Sequence, residues 1–173
     1  MNFAKHYLVT TLLASLSIGS AFANGNHAGG HGHDDEEKIG QAGKMKDVKR
    51  TITVDMSDAM RFTPANITAK QGETIRFLIS NSGKVKHELV LGTEKELKEH
   101  YEIMKKNPEM EHSDPNQITL APGGKGEIIW KFTQAGKIDF ACLQPGHYDA
   151  GMKGQVNVAK SAAIKEAHDH KHE

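Results

Sequence analysis

The sequence has little cysteine, few aromatic residues and no net charge. Its 173 residues include one cysteine, so an internal disulfide framework is excluded and a single thiol needs an explanation. Lysine and arginine together number 22, as do aspartate and glutamate, and this balance argues against nucleic acid or an anionic membrane as a partner. The remaining composition, 37% hydrophobic and 25% charged, predicts one globular domain with polar extensions.

Long apolar runs are also missing, except at the N-terminus. There Lys5 and His6 precede the apolar run 7–18, and Ala21-Phe-Ala23 follows as a small-x-small cleavage site. This order predicts a secretory signal peptide over residues 1–23, because the run is too short to span a bilayer comfortably. We therefore expect a periplasmic mature protein without a membrane span.

Two segments rich in histidine and charged residues flank the domain, at residues 24–46 and 161–173. Both have too few apolar residues to offset the entropy cost of ordering, so we predict that both are disordered. Short histidine-rich tracts can bind metal ions, although adventitious chelation by solvated tails is the alternative. The candidate secondary ligands in these segments are His27, His31, His33, His168, His170 and His172.

The domain between them, residues 47–160, alternates apolar and polar residues over many short stretches. Alternation with a period of two predicts β-strands with one buried face, and glycine-rich turns separate these stretches. The pattern therefore predicts an all-β sandwich. The expected strands include 52–56, 74–79, 87–91, 128–132, 138–142 and 156–158.

One segment of the domain has helical periodicity. Thr93 and Glu96 form a capping box, after which apolar residues recur at helical spacing. We predict a helix over 94–106, inserted between strands, that packs on the sandwich through Leu97 and Tyr101. Two further candidates for secondary metal ligands lie in the acidic loop after it, Met110 and His112.

The cysteine begins a stretch that carries three kinds of metal-binding side chain. Four residues separate Cys142 from His147, and four separate His147 from Met152. A thiolate, an imidazole and a thioether are three of the four ligands of a blue-copper site, which takes a second imidazole. Pro145 and Gly146 predict a turn that directs His147 back toward Cys142. A buried free cysteine followed by unrelated turn residues is the alternative.

The second imidazole has three candidates in the middle of the chain. His87 shares one face of its predicted strand with two leucines, so its side chain is expected to point into the core. An imidazole in that position requires a hydrogen-bond partner or a metal ion. His100 lies on the charged side of the predicted helix, and His112 lies in the acidic loop. We therefore expect His87 and Cys142 to meet at one end of the sandwich.

From about residue 50 to residue 159 the chain resembles a cupredoxin, the copper-binding β-sandwich family of azurin, plastocyanin and rusticyanin. The resemblance rests on Phe62-Thr-Pro, Gly72-Glu-Thr, His87 and the stretch 142–152. It implies a Greek-key sandwich that holds one type 1 copper ion. The ligands that it implies are His87, Cys142, His147 and Met152.

The inserted helix, the loop with Met110 and His112, and the histidine-rich N-terminal segment resemble periplasmic cupredoxins linked to bacterial copper tolerance. One residue departs from the azurin pattern. Glu88 follows the first ligand histidine, where azurin has an asparagine that braces the ligand loop. We expect this departure to affect the reduction potential and the colour of the site.

Two functions follow as expectations. The first is copper tolerance, with copper cycling between Cu(I) and Cu(II), and the alternative is a small electron carrier whose redox partner docks beside His147.

An enzyme is not expected, because multicopper oxidases need further copper sites and a binuclear copper centre needs two cysteines. A Cys-His hydrolase would leave Met152 unexplained, and zinc suits a sulfur-rich site less well than copper does. We expect a monomer.

Overall fold

The computed structural model describes residues 39–108, 110 and 113–161. The predicted signal peptide, most of both histidine-rich segments and all six of their candidate ligands lie outside this part. Ten strands and one α-helix follow one another in the described part. They are β1 (Gln41–Ala42), β2 (Arg50–Ser57), β3 (Arg61–Thr63), β4 (Asn66–Lys70), β5 (Thr74–Asn81), β6 (His87–Gly92), α1 (Glu94–Lys106), β7 (Gln117–Leu120), β8 (Lys125–Lys131), β9 (Gly136–Ala141) and β10 (Lys153–Ala159).

The strands form two five-stranded sheets. The order is β1-β8-β5-β2-β3 in the first sheet and β4-β10-β9-β6-β7 in the second. Most neighbours are antiparallel, but β2 pairs with β5, and β4 with β10, in parallel. The chain leaves the first sheet after β3 and returns to it with β5, as in folds where strands cross between two layers. The predicted all-β sandwich is confirmed.

The facing sides of the two sheets bury one hydrophobic core. In β5 the side chains of Ile75, Phe77 and Ile79 are at most 2% exposed and alternate with partly exposed residues. Phe62 and Phe140 meet edge to face across this core, with ring centroids 5.0 Å apart. The core therefore fixes the two sheets against each other and supports the loops at their ends.

The predicted helix is present over Glu94–Lys106. The Thr93 hydroxyl accepts a hydrogen bond from the Glu96 backbone N–H, and the Glu96 carboxylate accepts one from the Thr93 backbone N–H, so the capping box is confirmed. The helix packs on the outer face of β6 at Val90, whereas Leu89 and Leu91 face the main core, so both faces of this strand are buried. The described residues include no helix long and apolar enough to cross a membrane.

The prediction that disorder extends to residue 46 is wrong. Ile39 is 2% exposed, and the indole Nε1–H of Trp130 donates a hydrogen bond to the Ile39 carbonyl oxygen at 2.9 Å. The strand β1 then pairs with β8, and a 3₁₀ turn follows at Met45–Asp47. One buried isoleucine and a few backbone hydrogen bonds therefore order this segment, although its composition is polar.

Candidate metal centre

The topology brings the predicted ligands to one end of the sandwich. His87 is the first residue of β6, and Cys142 directly follows β9, its antiparallel neighbour. The loop 142–152, called the ligand loop below, ends with Met152 directly before β10. Because β6, β9 and β10 are adjacent in one sheet, both ends of the ligand loop and His87 are held by paired strands.

Three donor side chains converge there. The Nδ1 atoms of His87 and His147 are 3.2 Å apart, and the Sγ atom of Cys142 lies 3.3 Å from Nδ1 of His147. The ligand atoms of all three residues lie within 4.8 Å of one another. In the described part of the chain, this is the group of histidine, cysteine and acidic residues that could hold a metal ion.

The donors are poorly accessible to water. Cys142 and His87 are fully buried, whereas His147 is half-buried. Burial raises the pKa of the Cys142 thiol to about 12, although backbone N–H groups of Gln144 and Glu88 act in the opposite direction. Burial, and next the neighbouring His87, lower the pKa of His147. Without a metal ion the site therefore holds a neutral thiol and a His147 ring that resists protonation.

Met152 lies in the same core as Cys142. Its side chain is fully buried, and its backbone carbonyl oxygen accepts a hydrogen bond from the Cys142 N–H at 3.1 Å. Its own N–H donates to the His147 carbonyl oxygen at 3.0 Å. The backbone of Met152 thus connects the two other predicted ligands of the loop.

Asp58 orients the His87 ring. Its carboxylate Oδ1 lies 3.1 Å from Nε2 of His87, so a proton on Nε2 leaves the Nδ1 lone pair directed at the other donors. Backbone N–H groups of Lys84 and Val85 also donate to this carboxylate. The Lys84 hydrogen bond in particular lowers the pKa of Asp58. The sequence analysis did not identify Asp58. The one pattern that could have pointed to it is its position as an acidic residue in the turn directly after β2.

Glu88, the departure from the azurin pattern, is buried behind the thiol. Its backbone N–H donates to Sγ of Cys142 at 3.3 Å, and its carboxylate accepts a hydrogen bond from the Thr119 hydroxyl at 3.2 Å. Its negative charge also raises the pKa of Cys142, though less than burial does. The backbone of Glu88 therefore contacts the sulfur donor, and its carboxyl group acts on that donor through its charge.

Among the described residues, the other mid-chain histidine candidate, His100, does not belong to this cluster. His100 is on α1 and is partly buried rather than solvated. Met110 is 41% exposed in the loop after α1, and His112 lies outside the described residues.

Comparison with known proteins supports a copper site. A sequence model described as copper binding proteins, plastocyanin/azurin family, matches residues 30–159. The copper-resistant cuproprotein CopI of Rubrivivax gelatinosus is 50% identical over 76% of this chain and 80% of its own length. A protein of the same name from Pseudomonas aeruginosa is 33% identical, over 70% of this chain and 83% of its own.

Solved structures with the same fold include two auracyanins. The dithionite-reduced auracyanin of Roseiflexus castenholzii is 24% identical with a TM-score of 0.55, over 65% of this chain and 98% of its own. Auracyanin B is 21% identical with a TM-score of 0.57, over 69% of this chain and 96% of its own. At these identities the likeness shows the fold alone.

Proposed function

Because the chain belongs to the plastocyanin/azurin family of copper-binding proteins, we propose that it binds one type 1 copper ion per chain. The observation that carries this proposal is the convergence of two imidazole Nδ1 atoms and one thiol. Two imidazoles and a thiolate, with a thioether nearby in the core, are the donor set that favours copper over harder metal ions. The proposed ligands are His87, Cys142, His147 and Met152.

Each residue contributes a defined property. Cys142 loses its proton on binding, since the thiolate is the ligand. His87 keeps a proton on Nε2, facing Asp58, and His147 closes the site from the half-buried side. Copper bound there would supply a one-electron couple between Cu(I) and Cu(II). The paired strands on both sides of the ligand loop restrain the donors during that cycle.

The biological role that we propose is copper tolerance in the periplasm. Support comes from two relatives named copper-resistant cuproproteins, each similar over more than two thirds of this chain. Six histidines near the two termini would add sites of modest affinity for copper in excess. The role that we propose is therefore copper binding with redox cycling, not enzymatic catalysis.

A second candidate function is electron transfer. One observation favours it: His147 is half-buried, and the exposed residues Pro145 and Gly146 lie directly beside it. A redox partner could approach a monomeric domain at this edge.

Visible spectroscopy tests the copper site. Cu(II) added to the metal-free domain should give an intense thiolate-to-copper absorption band with one equivalent bound, as measured by metal analysis. Cys142→Ser should lose the band and retain its far-ultraviolet circular dichroism. His100→Gln is a matched control, because it removes an imidazole outside the cluster and should keep the band. An unchanged band in Cys142→Ser would contradict the ligand assignment.

The terminal histidines need a separate measurement. A variant lacking residues 24–38 and 162–173 keeps every residue of the domain that the structure describes, including β1. It should bind less copper in total and show the same visible band per folded chain. Loss of the band would mean that these segments contribute to the main site.

Growth of a deletion strain separates the two functions. For copper tolerance, the strain should be sensitive to added copper and respire normally at low copper, and Cys142→Ser should not restore tolerance. A strain that respires poorly without copper stress, and tolerates copper like its parent, would support the electron carrier instead.

A further inference from the structure

The inserted helix α1 reaches the ligand loop through one hydroxyl group. Oη of Tyr101 accepts a hydrogen bond from the Gly146 backbone N–H at 3.0 Å and donates one to Oδ2 of Asp149 at 2.8 Å. Gly146 directly precedes His147, and Asp149 follows it by two residues. The hydroxyl therefore bridges the loop on both sides of this histidine.

Packing of the Tyr101 ring helps to fix the position of this hydroxyl. Tyr101 is 2% exposed and belongs to the satellite core formed by α1, β6, β9 and two residues of the ligand loop, Leu143 and Tyr148. Leu97 and Met104, also 2% exposed, anchor the helix on either side of it. The ring of Tyr101 in addition stacks on Tyr148, with centroids 5.0 Å apart. The helix thus presents a buried, packed partner to a loop whose backbone hydrogen bonds are mostly internal.

The bridged residues determine where His147 points. Gly146 has a φ of +83°, a backbone conformation that glycine adopts without strain, and its carbonyl oxygen accepts the Ala150 N–H at 3.0 Å. The His147 N–H donates to the Gln144 carbonyl oxygen at 3.0 Å. Movement of Gly146 would shift both of these turns, and the His147 ring with them.

We infer that Tyr101 is a positioning residue of the metal centre, which holds His147 in its binding orientation before a metal ion arrives. This inference rests on the proposed role of His147 as a ligand. It gives the inserted helix a function, since the helix carries the group that preorganises the loop. Preorganisation of this kind reduces the ordering that binding would otherwise require.

Hydrogen exchange of the metal-free protein tests the inference without copper. In Tyr101→Phe, which keeps the ring and removes only the hydroxyl, the Gly146 amide should exchange about tenfold faster or more, because a hydrogen-bonded partner is lost. Thr93→Ala is the matched control: it removes one side-chain hydrogen bond from the same helix, at its N-cap, eight residues before Tyr101. Gly146 should exchange at the parental rate in that variant.

Copper-loaded protein supplies the second readout. Tyr101→Phe should change the ratio of the thiolate-to-copper absorption bands and the copper hyperfine splitting in electron paramagnetic resonance, and Thr93→Ala should not. Asp149→Ala, a change at an exposed loop position, should shift both readouts in the same direction as Tyr101→Phe.

The inference is overturned if Gly146 exchanges at the parental rate in Tyr101→Phe, or if Thr93→Ala accelerates it equally. These results are independent of the ligand assignment, because no metal is present. A parent protein that never develops the visible band would refute the proposed copper site and leave the exchange result standing.

Discussion

The thiol of Cys142 should react very slowly while the folded protein holds no metal ion. Its side chain is fully buried, and burial raises its pKa from 9.0 to about 12. At any pH well below 9, a shift of this size leaves the folded site with about one thousandth of the thiolate present in an unperturbed cysteine. The thiolate is the nucleophile, so alkylation should be about a thousandfold slower than in the unfolded chain.

The assay is the rate of iodoacetamide labelling against pH, measured by mass spectrometry on chelator-treated protein with and without denaturant. In the unfolded chain the rate should level off above about pH 9. In the folded protein it should keep rising about tenfold per pH unit to the highest pH at which the fold survives. Cys142→Ser is the control for labelling at other side chains.

The shape of this profile separates the pKa from simple steric protection. If occasional opening of the site limited the reaction, the folded protein would react slowly but level off at the same pH as the unfolded chain. A plateau near pH 9, or a folded rate within about tenfold of the unfolded rate, would refute the reasoning.

Three further outcomes are expected. Phe140→Ala should lower the free energy of unfolding by about 3–5 kcal/mol in urea titrations, since it empties the centre of the core, and a loss below about 1 kcal/mol would contradict this packing. Gly154→Ala should lower the melting temperature, because a Cβ there would overlap the Phe140 ring. Asp58 has a lowered pKa when folded, so its stabilisation is present above its unfolded pKa and is lost as pH falls through the folded value. Asp58→Asn should therefore have a lower free energy of unfolding than the parent at neutral pH. The two values should converge as the pH falls through the folded pKa of Asp58.

Patterns local in sequence predicted most of the fold. The alternation in β5 and the spacing after Thr93 identified a strand and a helix, because burial of one face imposes a fixed period on each. Strand β1 was missed, since two residues cannot show a period. Residues 39–46 adopt a defined structure partly because Ile39 contacts Trp130, about ninety positions away in the sequence, and no local pattern predicts that contact.

In the candidate site, too, local patterns identified some residues and missed others. The spacing from Cys142 to Met152 and the inward parity of His87 singled out the residues that now lie together at one end of the sandwich. Asp58 and Tyr101 could not be assigned to this site, because each reaches it across a tertiary contact. For Tyr101 the helical period predicted burial of the ring but gave no information about the hydroxyl.

The hydrogen bond between Trp130 and Ile39 also allows intrinsic tryptophan fluorescence to report on the N-terminal part of the domain. Trp130 is the single tryptophan of the chain, and it pairs with Ile75 near the start of β5. Asn81, at the other end of β5, contacts the loop that leads to His87, so six residues, or about 20 Å of strand, separate the indole from that end. Emission from Trp130 would therefore follow release of strand β1, while visible absorption would follow the proposed copper site. Two events at opposite ends of one small domain could be monitored in the same cuvette without a label.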